Sequence, residues 1–173
     1  MIQNIDWNKL LNFNSEWGHL LCCQEKKIDE VISGLFRDDL SVARIIRGQR
    51  CLNKERLFQE WASALQFPDY FGHNWDAFDE CLGDLEWLPG TSYNFFITNI
   101  DRVLENSIDE FKIFVEILKN SAIEWKALPK GTNPQKTSPI SFHVLFHCEI
   151  NKKTFTQEKF KKTGILLNSV DLE

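Results

Sequence analysis

The chain is expected to fold as an α/β protein, with a mostly parallel sheet covered by helices. Three observations predict this. Residues 93–97 (YNFFI) are dense in aromatics, the composition of a central parallel strand buried on both faces. Residues 140–148 (ISFHVLFHC) alternate in the way a strand does. The segments between these strands repeat apolar residues at helical spacing, and they are too long for hairpins.

Taken in order, residues 7–23 are amphipathic, and GHLLCC at 18–23 reads as a short strand. Ile28, Val31, Ile32, Leu35 and Phe36 recur at i, i+3, i+4, i+7 and i+8, which marks a helix ended by Asp38-Asp39. Residues 42–46 form a β-branched strand turned at Gly48-Gln49. Strand, helix and strand at this spacing predict a βαβ unit, with the added N-terminal strand parallel to its neighbour. Asn53 is placed to cap a second helix with the stripe Leu57, Phe58, Trp61 and Leu65. Pro89-Gly90 turns the chain into the strand at 93–97. SIDE at 107–110 is a capping-box sequence opening a helix whose inward stripe is Ile108, Phe111, Val115 and Leu118. Asp109, Glu116 and Asn120 fall on its other side. A turn-rich loop spans 126–139, the strand at 140–148 follows, and 155–172 reads as a Lys-rich helix and tail. A length of 173 residues fits a single domain, 1–173.

Residues 67–88, FPDYFGHNWDAFDECLGDLEWL, are the chemically distinctive stretch. They hold six acids and no Lys or Arg, with aromatics threaded between the acids. Pro68 and Gly72 mark a tight loop, and Asn74 is placed to cap a short helix starting at Trp75. On that helix Asp76, Asp79 and Glu80 share one arc, while Ala77, Phe78, Cys81 and Leu82 take the other. Charge is unevenly spread: residues 66–120 carry eleven acids against Arg102, Lys112 and Lys119, whereas 130–162 are Lys-rich, and the whole chain has a net charge of −5. An acidic middle of this kind seeks a basic partner and does not itself bind nucleic acid.

The run PDYFGHNWDAFDECL closely resembles the loop-and-helix signature of the barstar family, intracellular polypeptide inhibitors of a bacterial ribonuclease. The matching features are Pro-acid-aromatic-aromatic-Gly, then Asn-x-Asp-Ala, then acid-Cys-Leu. The resemblance runs from about Val42 to about Cys148, leaving 1–41 as an N-terminal strand-helix addition and 149–173 as a C-terminal extension. It implies a barstar-like three-layer arrangement and a partner-binding set of Tyr70, Phe71, Gly72, Asn74, Asp76, Asp79, Glu80 and Glu116. Tyr70 is the implied stacking residue, and Glu80 the implied anchor in the enzyme's phosphate site. Gly72 is expected to serve the backbone conformation and close approach of the partner. Three positions depart from the family: Glu80 stands where barstar has aspartate, Asp79 where it has tryptophan, and Asn120 where it has a second glutamate.

Physically, a helix offering carboxylates at i and i+4, about 6 Å apart, can occupy a cleft built to hold phosphates without presenting a cleavable bond. The implied partner is a basic ribonuclease or nuclease toxin in a one-to-one complex, and the implied role is that of an immunity protein or antitoxin in a bacterial cell. The free protein is expected to be monomeric, with no cofactor, metal or membrane contact. An odd count of five cysteines without framework spacing, and a start lacking a signal-like h-region, predict a reduced cytoplasmic protein.

Catalysis is the competing class. A solvated carboxylate row does not drive two pKa values apart as acid–base chemistry requires, and no phosphate loop, nucleophile elbow or HExxH is present. His143 and His147 on a strand stand about 13 Å apart, too far for shared zinc ligation. The chain therefore reads as a non-enzyme. The alternative within the binding class is an interaction module whose basic partner is not a nuclease.

Overall fold

A computed structural model of the chain describes residues 5–35, 40–127 and 138–172. Its centre is a sheet of five strands: β1 (Gly18–Cys22), β2 (Ser41–Arg47), β3 (Ser92–Thr98), β4 (Ser141–Cys148) and β5 (Asn168–Asp171). The spatial order is β2-β3-β4-β1-β5, and every pairing is parallel. The sheet is thus fully parallel among the described residues. Six helices connect and cover it: α1 (Trp7–Leu10), α2 (Ile28–Leu35), α3 (Lys54–Leu65), α4 (Trp75–Asp84), α5 (Ile108–Lys126) and α6 (Lys153–Lys161).

Two expectations about the sheet need correction. The N-terminal strand β1 does not pair with β2; it inserts between β4 and β5, with Gly18 opposite Val144 and His19 opposite Asn168. All five β1 residues are buried, so the strand needs a neighbour on each edge. β2, with its mixed exposure, is an edge strand. Secondly, the expected C-terminal helix is present, but the segment after it is not a mere tail. The C-terminal region supplies α6 and then β5, a strand of polar and half-buried residues without apolar alternation.

Side chains of alternate strand residues split the interior in two. On one face, Trp61 of α3 meets Phe78 of α4, Phe95 of β3 and Phe114 of α5 at ring-centroid distances of 5.3, 5.5 and 5.9 Å. The predicted α3 stripe, Leu57, Phe58, Trp61 and Leu65, is wholly buried here, and each such side chain contributes about 1.5–3 kcal/mol of gross burial free energy. On the other face, Val31 and Leu35 of α2 pack with Leu21, Phe96 and Leu145, joined by Trp7, Leu10 and Leu11. The result is three layers, with α1 and α2 behind the sheet and α3, α4 and α5 in front. Phe36 and Asp38-Asp39, expected to finish α2, and most of the loop at 126–139 lie outside the described residues.

The helix caps fall where the sequence places them. Asn53 Oδ1 accepts from Arg56 N at 3.0 Å, and Ser107 Oγ accepts from Glu110 N at 3.3 Å. The Ser107 box is not reciprocal, because Ser107 N donates to Leu104 O and the Glu110 carboxylate turns to α4. Ile108, expected inward, is exposed at the first position of α5; Phe111, Phe114, Val115, Leu118 and Trp125 face the core. All five cysteines are buried thiols, with Cys22 and Cys148 facing each other at 3.8 Å between sulfurs. No helix among the described residues is long and apolar enough to cross a membrane.

Candidate partner-binding site

The acidic segment is positioned by its aromatic residues. Helix α3 ends at Gln66 in the left-handed conformation, φ 55°, which turns the chain sharply. Phe67 then packs on Phe71 at 4.9 Å and on Trp87 at 6.0 Å, and Phe71 N donates to Pro68 O at 2.9 Å to close the turn. Phe71 is buried against Phe58, so of the two adjacent aromatics only Tyr70 is presented outward, 74% exposed. The loop residue in the left-handed region is His73 (φ 50°), not Gly72. Gly72 matters for space: a Cβ there would approach Asn74 Nδ2 at 3.0 Å. That corrects the backbone-conformation role expected of this glycine.

Asn74 caps α4, its Oδ1 accepting from Ala77 N at 2.9 Å while its Nδ2 donates to Gly72 O at 3.3 Å. One side chain thereby holds both the loop and the first turn of the helix. The buried face of α4 is Phe78, Cys81 and Leu82. Asp76, Asp79 and Glu80 are exposed on the other face, as their spacing predicts. Trp75 Nε1 donates to Glu110 Oε2 at 2.6 Å, and Trp125 Nε1 donates to Leu82 O at 2.7 Å, so α4 is held against α5 at both ends.

Several acids elsewhere pair with cations: Glu60 with Arg47 and Arg50, Glu110 with Lys54, Glu105 with Arg102, Asp171 with Lys153. No ion pair joins Asp76, Asp79 or Glu80 to a described residue. Partial desolvation, then the charges of Glu124, Asp76 and Glu80, hold the Asp79 carboxyl above its ordinary pKa. Tyr70 is also pushed up, first by desolvation and then by Asp84, Cys81, Glu86 and Glu80. Tyr70 arches toward the C-terminal half of α4, and a cleft of about 210 Å³ opens between them, lined by Tyr70, Phe71, Ala77, Glu80, Cys81 and Asp84. A tyrosine ring and two carboxylates around a small cleft suit a cationic or imidazole side chain from outside.

Glu124 is the residue missed by sequence reasoning. It lies one turn beyond Asn120 on α5 and reaches the acidic face, near enough to Asp79 to raise its pKa and to sit 3.9 Å from where a Cβ on Gly83 would be. The spacing 116, 120, 124 on one helix carried that signal. Glu116 itself is exposed on α5. The described residues contain no group of three or more His, Cys, Asp or Glu placed to hold a metal. The two strand histidines are buried instead. His147 Nδ1 accepts from Asn99 N at 3.2 Å, which leaves its Nε2–H to donate to Cys23 O at 3.2 Å; His143 Nε2 meets Ser15 Oγ at 2.9 Å.

Over 87 aligned residues the chain is 36% identical to a Bacillus subtilis (strain 168) protein described as "Putative ribonuclease inhibitor YrdF", covering 42% of this chain and 96% of that one. Residues 42–147 match the family model described as Barstar (barnase inhibitor), a span that holds β3, α3, α4, α5 and most of β2 and β4. The chain belongs to the barstar family.

Proposed function

We propose that this protein inhibits a basic ribonuclease-like enzyme by filling its active-site cleft with the loop 70–74 and the exposed face of α4. The observation that carries the reading is the row Asp76, Asp79 and Glu80, which forms no ion pair with any described residue and is held in place by the Asn74 cap and the Trp75–Glu110 bond. A cation cluster that holds RNA phosphates finds in this row carboxylates already placed, and a rigid helix loses little conformational entropy on docking. Asp76 sits in the first helical turn, where the backbone dipole favours its charge. Tyr70 supplies a flat surface for stacking, and Phe71, Gly72 and Asn74 shape the loop that carries it. Glu124 extends the acidic face onto α5, and Glu116 belongs to its rim. The proposed complex is one-to-one, and its role that of an immunity protein or antitoxin in the cytoplasm of a bacterium that makes or meets the nuclease.

Titration of the purified protein into a basic ribonuclease from the same source tests this. Loss of RNA cleavage with a sharp one-to-one endpoint is expected. RNA turnover by the protein alone that disappears in Asp76→Asn would overturn the reading.

A further inference from the structure

Cys22 ends β1 and Cys148 ends β4, and the register sets the two directly opposite each other. Neighbouring strands lie about 4.7–4.9 Å apart, so an in-register pair falls within the Cα separation of about 4.4–6.8 Å that a disulfide spans. Both side chains turn to the front of the sheet, where the sulfurs stand 3.8 Å apart and are fully buried. Cys23, the next residue, turns to the other face with Leu21 and Phe96. Cys22 and Cys148 both lie outside the segment 42–147 that matches the family. The pair therefore belongs to the seam by which this chain's added N-terminal strand joins β4.

Its surroundings differ from those of an inert buried thiol. The S–H of Cys22, then the Thr156 hydroxyl and the Lys153 ammonium, hold the Cys148 thiol below its ordinary value against burial and Asp101. Lys153 and Thr156 belong to α6, whose first turns thus lie against the pair. The same hydrogen bond pushes Cys22 up. Burial pushes Cys23 and Cys81 up to about 11 and Cys51 up to about 12. Cys148 is thus the one thiol of the five whose surroundings favour the thiolate, and the group facing it is a second thiol. Nearby, Lys153 pairs with Asp171 of β5 at 2.6 Å, and both side chains are partly exposed. β5 has four residues and stands at the edge of the sheet, so its fraying opens a short path for a small oxidant.

We propose that Cys22 and Cys148 form an oxidation-responsive dithiol, which hydrogen peroxide converts to a disulfide that locks β1 to β4. The Cys148 thiolate attacks one peroxide oxygen and the O–O bond breaks. The departing hydroxide takes up the proton that Cys148 released and leaves as water, while the Cys148 sulfur keeps a hydroxyl group. Cys22 then attacks that sulfur. The S–S bond forms, the S–O bond breaks, and the hydroxide leaves with the Cys22 proton as a second water. Two electrons pass from the two sulfurs to one peroxide. The bond joins residues 126 apart in sequence, so it restricts the unfolded chain strongly. Neither α4 nor the loop 70–74 takes part, and the proposal stands or falls independently of the inhibitor reading.

To test it, the full chain is treated with a few equivalents of hydrogen peroxide at neutral pH, quenched, unfolded and alkylated. Three alkylated cysteines in place of five are expected, with a proteolytic fragment pair joined through Cys22 and Cys148. Dithiothreitol should restore all five. The urea midpoint of the oxidised chain should lie about 1 M or more above that of the reduced chain. Cys22→Ala, which keeps Cys148, should show no such rise and should accumulate sulfenic acid at Cys148, captured by dimedone. Five alkylated cysteines after treatment, a disulfide joining any other pair or two chains, or an unmoved urea midpoint in the oxidised parent would each overturn the proposal.

Discussion

Trp75 and Glu110 join the first turns of two helices through one bond of 2.6 Å, from the indole Nε1 to the carboxylate Oε2. Trp75 follows the Asn74 cap directly, so the bond fixes the rotation of α4 about its axis and hence where Asp76 and Glu80 point. The same carboxylate lies 3.4 Å from Lys54 Nζ at the start of α3. Three helix starts therefore meet at Glu110.

Removing that donor should loosen the site. Trp75→Phe keeps the ring against Phe58 and deletes the N–H; a charge-assisted bond of this partly buried kind is worth about 1–2 kcal/mol. A urea melt should show a loss of that order with an unchanged slope, and partner dissociation should quicken. A parent-like melting midpoint would show that packing alone holds α4.

Glu80→Ala and Asp76→Ala should each weaken partner binding by about 2–5 kcal/mol, because the partner's desolvated cation is left without its carboxylate. Both residues are exposed in the free protein, so stability should stay within about 0.5 kcal/mol of the parent. Calorimetric titration with thermal melts on the same samples measures both. Binding within twofold of the parent in both variants would remove the mimicry argument.

Glu124 and Asp79 should act mainly on the rate of encounter. Oppositely charged faces steer association, which should reach the order of 10⁸ M⁻¹s⁻¹ at low salt. It should fall steeply as the Debye length shrinks from about 30 Å at 0.01 M to about 3 Å at 1 M. Glu124→Gln and Asp79→Asn should slow association and leave dissociation nearly unchanged in stopped-flow traces. A salt-independent association rate would place binding elsewhere on the surface.

Acid should destabilise the sheet through its histidines. Burial pushes His143 down to about 4, helped by Lys126 and His19, and burial also lowers His19 and His147. Above pH 6.5 these imidazoles are neutral in both folded and unfolded chains and cost nothing. As pH falls from about 6.5 toward 4 the unfolded chain takes up protons that the fold refuses, so stability drops, by up to about 3 kcal/mol for His143 alone. Urea midpoints across that interval should fall in the parent and fall less in His143→Gln. Equal slopes would mean that His143 is not the group responsible.

Much of the site was legible because its causes are local. Asn53 and Asn74 cap the helices their positions announce, and the acids at 76, 79 and 80 share a face by helical geometry alone. The sheet was less legible. GHLLC at 18–22 reads as a strand, but nothing within five apolar residues names the neighbour it will choose, and its partners are β4 and β5 instead of the nearest strand in sequence. β5, NSVD, offers little apolar signal: Val170 alone of its four residues packs on the core, and its place is set by backbone pairing with β1. Ile108 fits the inward period of α5 yet stands exposed, since a helix's first position overhangs the layer below. Glu124 was reachable by the 3.6-residue repeat, and only the packing of α5 on α4 shows that the repeat matters there.

The place of β1 has a consequence for how the molecule is made. Cys22 must meet Cys148 across 126 residues of chain, and β5 must then close the far side of β1. On the ribosome the apolar GHLLCC therefore leaves the tunnel long before either of its neighbours exists. The family segment can assemble meanwhile, since β2, β3 and α3 to α5 follow one another closely. Docking of β1 is left as a late, long-range closure, of the slow and aggregation-exposed kind. The nascent chain thus carries a sticky, unseated β1 while the 126 residues up to Cys148 are made, and a chaperone that engages exposed apolar strands would find its substrate there.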